Sequence, residues 1–174
     1  MQAIMEAIIY VADDPVKLEQ LREVFPEESS DAIRQALQEL VESFNARSGG
    51  MLIREVAGGW RMTTRPEHHE QIRLYLKTRP SAKLSMAALE TLAVIAYKQP
   101  VTLAEILAIR GKKSSTALQT LLERKMVAIL GRKPVVGRPI LYGTSKEFLI
   151  HFGLNGLSDL PTLEEFAQMA GEQL

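Results

Sequence analysis

The sequence predicts an α+β fold, mainly helical, built as two tandem winged-helix domains, each of three helices followed by a two-stranded hairpin. The first observation behind this is the order of patterns between Leu84 and Tyr142. A dense helix-forming run, Leu84–Tyr97, is followed by a short helical segment, Thr102–Ile109, and a third, Ser114–Arg124. An apolar strand, Met126–Leu130, a Gly/Pro/basic loop, Gly131–Pro139, and a return strand, Ile140–Tyr142, complete the order. The second observation is a repeat at an offset of 85 positions: Pro15, Val16, Leu18 and Leu21 match Pro100, Val101, Leu103 and Ile106, and Ser29 and Ser30 match Ser114 and Ser115. A constant offset across three helical segments points to a duplicated module.

The elements of the first domain follow from spacing and punctuation. Ile4, Ile8, Ile9 and Val11 fall at helical spacing and give residues 1–12 an apolar face. Pro15 ends that helix, because its ring disfavours helix in the residue before it. Lys17–Val24 reads as a short helix with Leu18, Leu21 and Val24 inward, stopped by Phe25 and Pro26. Ser29, Ser30 and Asp31 are N-cap types ahead of an amphipathic helix carrying Ile33, Leu37, Leu40 and Phe44. Met51–Val56 and Trp60–Thr64 read as strands joined by Ala57–Gly59, a turn able to supply positive φ. Pro66 suits the first position of a helix over 67–76.

The domain assignment is 1–76, a polar linker 77–83 with Pro80 inside it, 84–153, and an acidic tail 154–174 read as weakly ordered. A short helix is expected over Ser145–Phe152, and a docking helix or a frayed end over Leu163–Met169.

Charge sharpens this division. The formal net charge is zero, yet residues 81–153 hold 11 Lys+Arg against 4 Asp+Glu, while residues 1–80 hold 10 against 13 and residues 154–174 hold none against 4. A basic middle between acidic flanks points to a polyanionic or acidic partner. The chain has no cysteine, which excludes disulfides, thiolate zinc sites and a cysteine nucleophile and fits a reducing cytoplasm. No apolar run approaches the roughly 20 residues that span a bilayer, and no basic secretion start precedes Glu6.

Catalytic patterns are missing. His68 and His69 are adjacent, so on a helix their side chains diverge and do not share a metal, and no metal site is expected. Gly111–Ser114 echoes half of a phosphate loop, but the required first glycine falls on Ile106. No nucleophile–base–orienter set is present, and no enzyme activity or cofactor is expected. The third helix of the second domain presents Thr116, Gln119, Thr120 and Glu123 opposite its apolar face. A groove-reading helix offers several Arg, Lys, Asn or Gln to base edges, so base-specific reading is disfavoured. Lys112, Lys113, Arg132 and Lys133 are the candidates for non-specific phosphate contact.

Several stretches together carry a family resemblance. They are Val56–Thr64 with its Gly-Gly-Trp, Leu84–Thr102, Ile109–Gly111, Leu121–Arg124, Gly131–Arg132, Gly137–Thr144, Phe148–Leu154, and Leu160–Pro161. In this order they resemble the bacterial segregation and condensation protein B family over nearly the whole chain. The chain departs from the family at Lys112–Ser115, where an Asp-rich segment is common. The resemblance implies a homodimer held mainly by the first domain. It implies binding of a kleisin, the segregation and condensation protein A type, which bridges the heads of an SMC ATPase. It also implies a cytoplasmic, nucleoid-associated role in chromosome condensation and segregation, with no membrane contact. The kleisin-binding candidates are Glu90, Val94, Tyr97, Arg124, Arg132, Arg138 and Tyr142, and the dimerisation candidates are Met1, Met5, Ile9 and Trp60. The competing reading is a winged-helix DNA-binding transcriptional regulator, and a weaker third is an RNA-associated module.

Overall fold

A computed structural model of the chain describes residues 1–76, 84–111, 114–162 and 165. The linker expected at 77–83, Lys112, Lys113 and most of the segment after Thr162 lie outside the described residues. The chain divides into two compact units, Met1–Ser81 together with Gly153–Leu174, and Ala82–Phe152.

The first unit contains α1 (Gln2–Val11), α2 (Leu18–Val24) and α3 (Ser30–Asn45), the hairpin β1 (Met51–Val56) and β2 (Gly59–Thr64), and α4 (His69–Leu76) after a single 3-10 turn at Pro66–His68. Ser29 caps α3 by accepting a hydrogen bond from the Ala32 amide at 3.1 Å, as its residue type predicts. The hairpin turns through Ala57 and Gly58, at φ +53° and +73°, the two left-handed residues that match the twist of a tight hairpin. Asn45, at the end of α3, spans to β1 by donating to the Ile53 carbonyl and accepting from its amide, both at 2.8 Å.

The apolar face of α1 is rotated from the one expected. Met5 and Ile9 are buried with Leu21, Ile33, Leu37, Leu40 and Ile53 in the core, whereas Ile4 and Val11 are exposed. The helix is apolar around most of its circumference, so two stripes satisfy helical spacing, and contact with α3 and β2 selects the one through Met5 and Ile9. Val24, expected inward, is also exposed.

The second unit repeats the plan: α5 (Met86–Lys98), a two-residue strand β3 (Val101–Thr102), α6 (Leu103–Arg110), α7 (Ser114–Glu123), β4 (Val127–Arg132), β5 (Ile140–Thr144) and α8 (Lys146–Phe152). Its sheet has the order β3-β5-β4, all antiparallel, with a bulge between Ile129 and Gly131. The strand β3 was not anticipated, being too short to show a period. It has a counterpart in the first unit, where Val16, 85 positions before Val101, forms a bridge to Trp60. The core is made by Ala88, Leu92 and Ile95 of α5, Ile106 of α6, Leu118 and Leu121 of α7, Val127 and Phe148.

The segment after Phe152 does not hang free as expected, at least over 153–160. The Ala57 amide donates to the Leu154 carbonyl at 2.9 Å, the Gly58 amide to Asn155 Oδ1 at 2.7 Å, and Arg54 Nη2 to the Gly153 carbonyl at 3.0 Å. This strap is itself held by Asp159, whose Oδ2 accepts from the amides of Asn155 and Gly156 at 2.7 and 3.3 Å. Backbone amides on a hairpin turn are strong donors with no ladder partner, and the strap supplies their acceptors.

Gly59 is required by closeness of approach rather than by φ. A Cβ built there would sit 2.9 Å from the carbonyl carbon and oxygen of Pro15 and from the Val16 oxygen. Gly59→Ala should therefore cost about 1–3 kcal/mol by overpacking, read as a lowered denaturant midpoint, while Gly49→Ala, with nothing within 4 Å of its Cβ, should leave the midpoint nearly unchanged.

Candidate partner-binding surfaces

Helix α5 carries the most informative surface. Ser85 caps its start by accepting from the Ala88 amide at 3.2 Å. Buried Ala88, Thr91, Leu92, Ile95 and Ala96 define the inward face. At 100° per residue, Met86, Glu90, Ala93 and Tyr97 fall on the opposite side, with Leu89 on its flank. Met86 is 72% and Leu89 41% exposed, Ala93 is exposed, and Tyr97 is half-buried. A surface helix ordinarily turns polar residues outward, and here one charged residue, Glu90, stands among apolar Met86, Ala93 and Tyr97. Of the residues singled out on this helix, Tyr97 and Glu90 lie on that outward face. Val94 is half-buried beside it, and Glu90 is exposed and ion-paired with Arg110. Met86 and Leu89 were missed, although a wheel drawn around the core positions would have found them.

The wing between β4 and β5 is both basic and apolar. Val135 is 48% exposed, and Ile129, Leu130 and Val136 are exposed with it. Arg132 Nη1 donates to the Arg138 carbonyl at 3.1 Å across the loop, and Arg138 itself adopts φ +39°. Neither guanidinium has a carboxylate partner among the described residues. Lys133, in contrast, is committed: its Nζ donates to Glu105 Oε1 at 2.7 Å. Glu105 also closes the cap of α6, with Oε2 accepting from the amide and hydroxyl of Thr102 at 2.8 Å each. The Lys133 ammonium beside it, and then these Thr102 donors, hold its carboxyl down at about 2.

Tyr142 is a correction. It is 8% exposed, on the central strand β5 opposite Val101 and Ile129, and belongs to the core. Arg124 is half-buried just beyond α7. On helix α7 Gln119 Nε2 donates to Glu123 Oε1 at 3.2 Å and the Thr120 hydroxyl to the Thr116 carbonyl at 3.1 Å, so each side chain has a partner within the helix.

The dimerisation candidates in the first unit also need correcting. Met5 and Ile9 are core residues, and Trp60 is half-buried against that core with its backbone paired to Val16. Only Met1 is exposed. The outward stripe of α1 is instead Ile4, Ala7, Tyr10 and Val11. Beside it Ala3, Tyr10, Phe44, Met51 and Met62 line an open groove of about 440 Å³.

Among the described residues no group of three or more His, Asp or Glu could hold a metal ion, and no helix is long and apolar enough to cross a membrane.

Residues 3–163 match the model of the family described as segregation and condensation complex subunit ScpB. The chain belongs to the ScpB family. It is thus a subunit of the chromosome segregation and condensation complex. Segregation and condensation protein B of Syntrophotalea carbinolica is 45% identical over 172 residues, covering 99% of this chain and 86% of that one. Among solved structures, ScpB from Mycobacterium tuberculosis is 33% identical, covering 88% of this chain and 94% of that chain with a TM-score of 0.41. A structure described as a dimer of the ScpB N-terminal domain complexed with ScpA peptide is 25% identical, covering 42% of this chain and 91% of that chain with a TM-score of 0.39. At these TM-scores the architecture of this ScpB family member rests on its own elements.

The Glu105–Lys133–Thr102 cluster yields a pH prediction. A carboxyl whose folded value lies below its ordinary 4.5 contributes stability that is full above about 4.5 and is lost as the pH falls towards about 2. The thermal midpoint of the wild type should therefore fall more steeply than that of Glu105→Gln across this window, and the two curves should run parallel above it.

Proposed function

We propose that the chain is a non-enzymatic scaffold of the bacterial SMC–kleisin complex. It pairs with a second copy through residues 1–76 and grips an ScpA-type kleisin with residues 84–153. The kleisin in turn connects it to the SMC ATPase, in the cytoplasm and on the nucleoid. The observation that carries this reading is the apolar surface on the outward face and flank of α5, on a member of the ScpB family. Met86, Leu89, Ala93 and Tyr97 offer anchors at the spacing that an amphipathic helix of a partner would cover. The excess of basic residues in 81–153 favours an acidic segment of kleisin. The wing, with Arg132 and Arg138 unpaired with any carboxylate among the described residues and beside exposed Val135 and Val136, is the second contact for that segment. In the first unit the outward stripe of α1 and its groove are the proposed surface between copies, in place of Met5 and Ile9.

The same basic excess is what favours the alternative, a DNA-binding regulator. Helix α7 offers a single Gln and the acid Glu123 opposite its apolar face, which disfavours base reading and leaves non-specific phosphate contact by Arg132 and its neighbours.

Salt and mutation separate the two. Met86→Asp with Leu89→Asp should weaken binding of a kleisin fragment by about 2 kcal/mol or more, the loss typical of buried anchor residues, and Met86→Asp alone, at a side chain 72% exposed, should leave the thermal midpoint nearly unchanged. Arg132→Asp with Arg138→Asp should weaken it less. Kleisin affinity should fall only shallowly with added salt, by the share the wing guanidiniums contribute, whereas a steep log–log fall in binding to duplex DNA with unimpaired kleisin binding in every variant would reverse the assignment.

A further inference from the structure

The strap on the first hairpin brings together the groups of an intramolecular acyl transfer. We propose that Asn155–Gly156 is a self-modifying site, at which Asn155 deamidates through a succinimide with the help of Asp159 and Gly58. The chemistry needs three things, and the structure holds a group for each. The nucleophile is the backbone nitrogen of Gly156, which has no side chain to hinder its approach to the neighbouring carboxamide carbon. The base is Asp159, whose Oδ2 accepts the hydrogen bond from the Gly156 amide at 3.3 Å. The oxyanion donor is the Gly58 amide, which points at Asn155 Oδ1 from 2.7 Å, where negative charge develops when the carboxamide carbon becomes tetrahedral.

The step balances without any outside reagent but water. The Gly156 nitrogen loses its proton to Asp159 and bonds to Asn155 Cγ. The Cγ–Nδ2 bond then breaks, and the amide nitrogen takes that proton and departs as ammonia. Water opens the resulting succinimide at either carbonyl, to give aspartate or isoaspartate at 155. Isoaspartate adds a methylene to the main chain between the carbonyl of Leu154 and the nitrogen of Gly156. The strap can then no longer set the Leu154 carbonyl and the residue-155 oxygen on the Ala57 and Gly58 amides together. Plain aspartate places a second carboxylate beside Asp159. Either product loosens the cover of the hairpin turn.

The chain provides its own control. It has two asparagines, and Asn45 is followed by Ala46, with its carboxamide engaged at both ends by Ile53. Peptide mapping by mass spectrometry of the full chain, aged under physiological conditions, should show the amide-to-acid mass gain at Asn155 and none at Asn45. Asp159→Asn should slow it by about tenfold or more in the folded chain, the lower range of what a positioned base contributes. In urea the wild type and Asp159→Asn should react at one common rate. Gly156→Ala should nearly stop the reaction while keeping the fold, since its Cβ would meet nothing closer than the Ser158 hydroxyl at 3.5 Å. Hydrogen exchange at the Ala57 and Gly58 amides should rise as the product accumulates. The proposal is overturned if folded Asn155 reacts no faster than it does in urea, or if Asp159→Asn leaves the folded rate unchanged while its thermal midpoint matches the wild type.

Discussion

Each unit depends on one short antiparallel pairing, which fastens its hairpin to its helices. In the first unit the Val16 amide donates to the Trp60 carbonyl at 2.9 Å and the Trp60 amide to the Val16 carbonyl at 2.8 Å. In the second, Val101 and Thr102 pair with Tyr142 and Leu141. A two-stranded hairpin alone is marginal in water and must lay one face on a core. The pairing fixes which face that is. It brings the chain after the first helix of each unit so close to the return strand that Gly59 tolerates no Cβ, and it sets Tyr142 inward on the middle strand. Tyr142 is 8% exposed on this strand, which packs against α5 and α6.

Much of this was legible in the sequence. The three helices of each unit, the hairpins and the cap at Ser29 are local events, written in residue types at fixed spacing. What was not legible is long-range. Val16 and Val101 look like loop residues until the strands they pair with are placed. Helix α1 offers two apolar stripes of equal quality, and only the rest of the first unit chooses between Ile4 and Met5. The partnership of Glu105 with Lys133 joins residues 28 apart, and no periodicity announces it. On α5 the sequence signalled excess apolarity but not its direction, so Val94 was selected where Met86 faces outward with Leu89 on its flank.

The electrostatics divide labour within the second unit. Lys133 is spent on Glu105, which ties the base of the wing to the start of α6, while Arg132 and Arg138 keep their charge for the solvent side. An exposed pair such as Glu105–Lys133 adds little to stability by itself. Its value is positional, because it holds a projecting loop at a set angle to the helices, and a held loop loses less entropy when something binds to it.

The strap on the first hairpin has a consequence for how the protein is made. Gly58 waits for Asn155, a partner 97 residues further along the chain, so on the ribosome the first wing is born with its turn amides bare. A complete second winged helix must be synthesised before the closing hydrogen bonds of the first can form. Domains usually finish in the order in which they emerge, and here the first to begin folding is the last to be sealed.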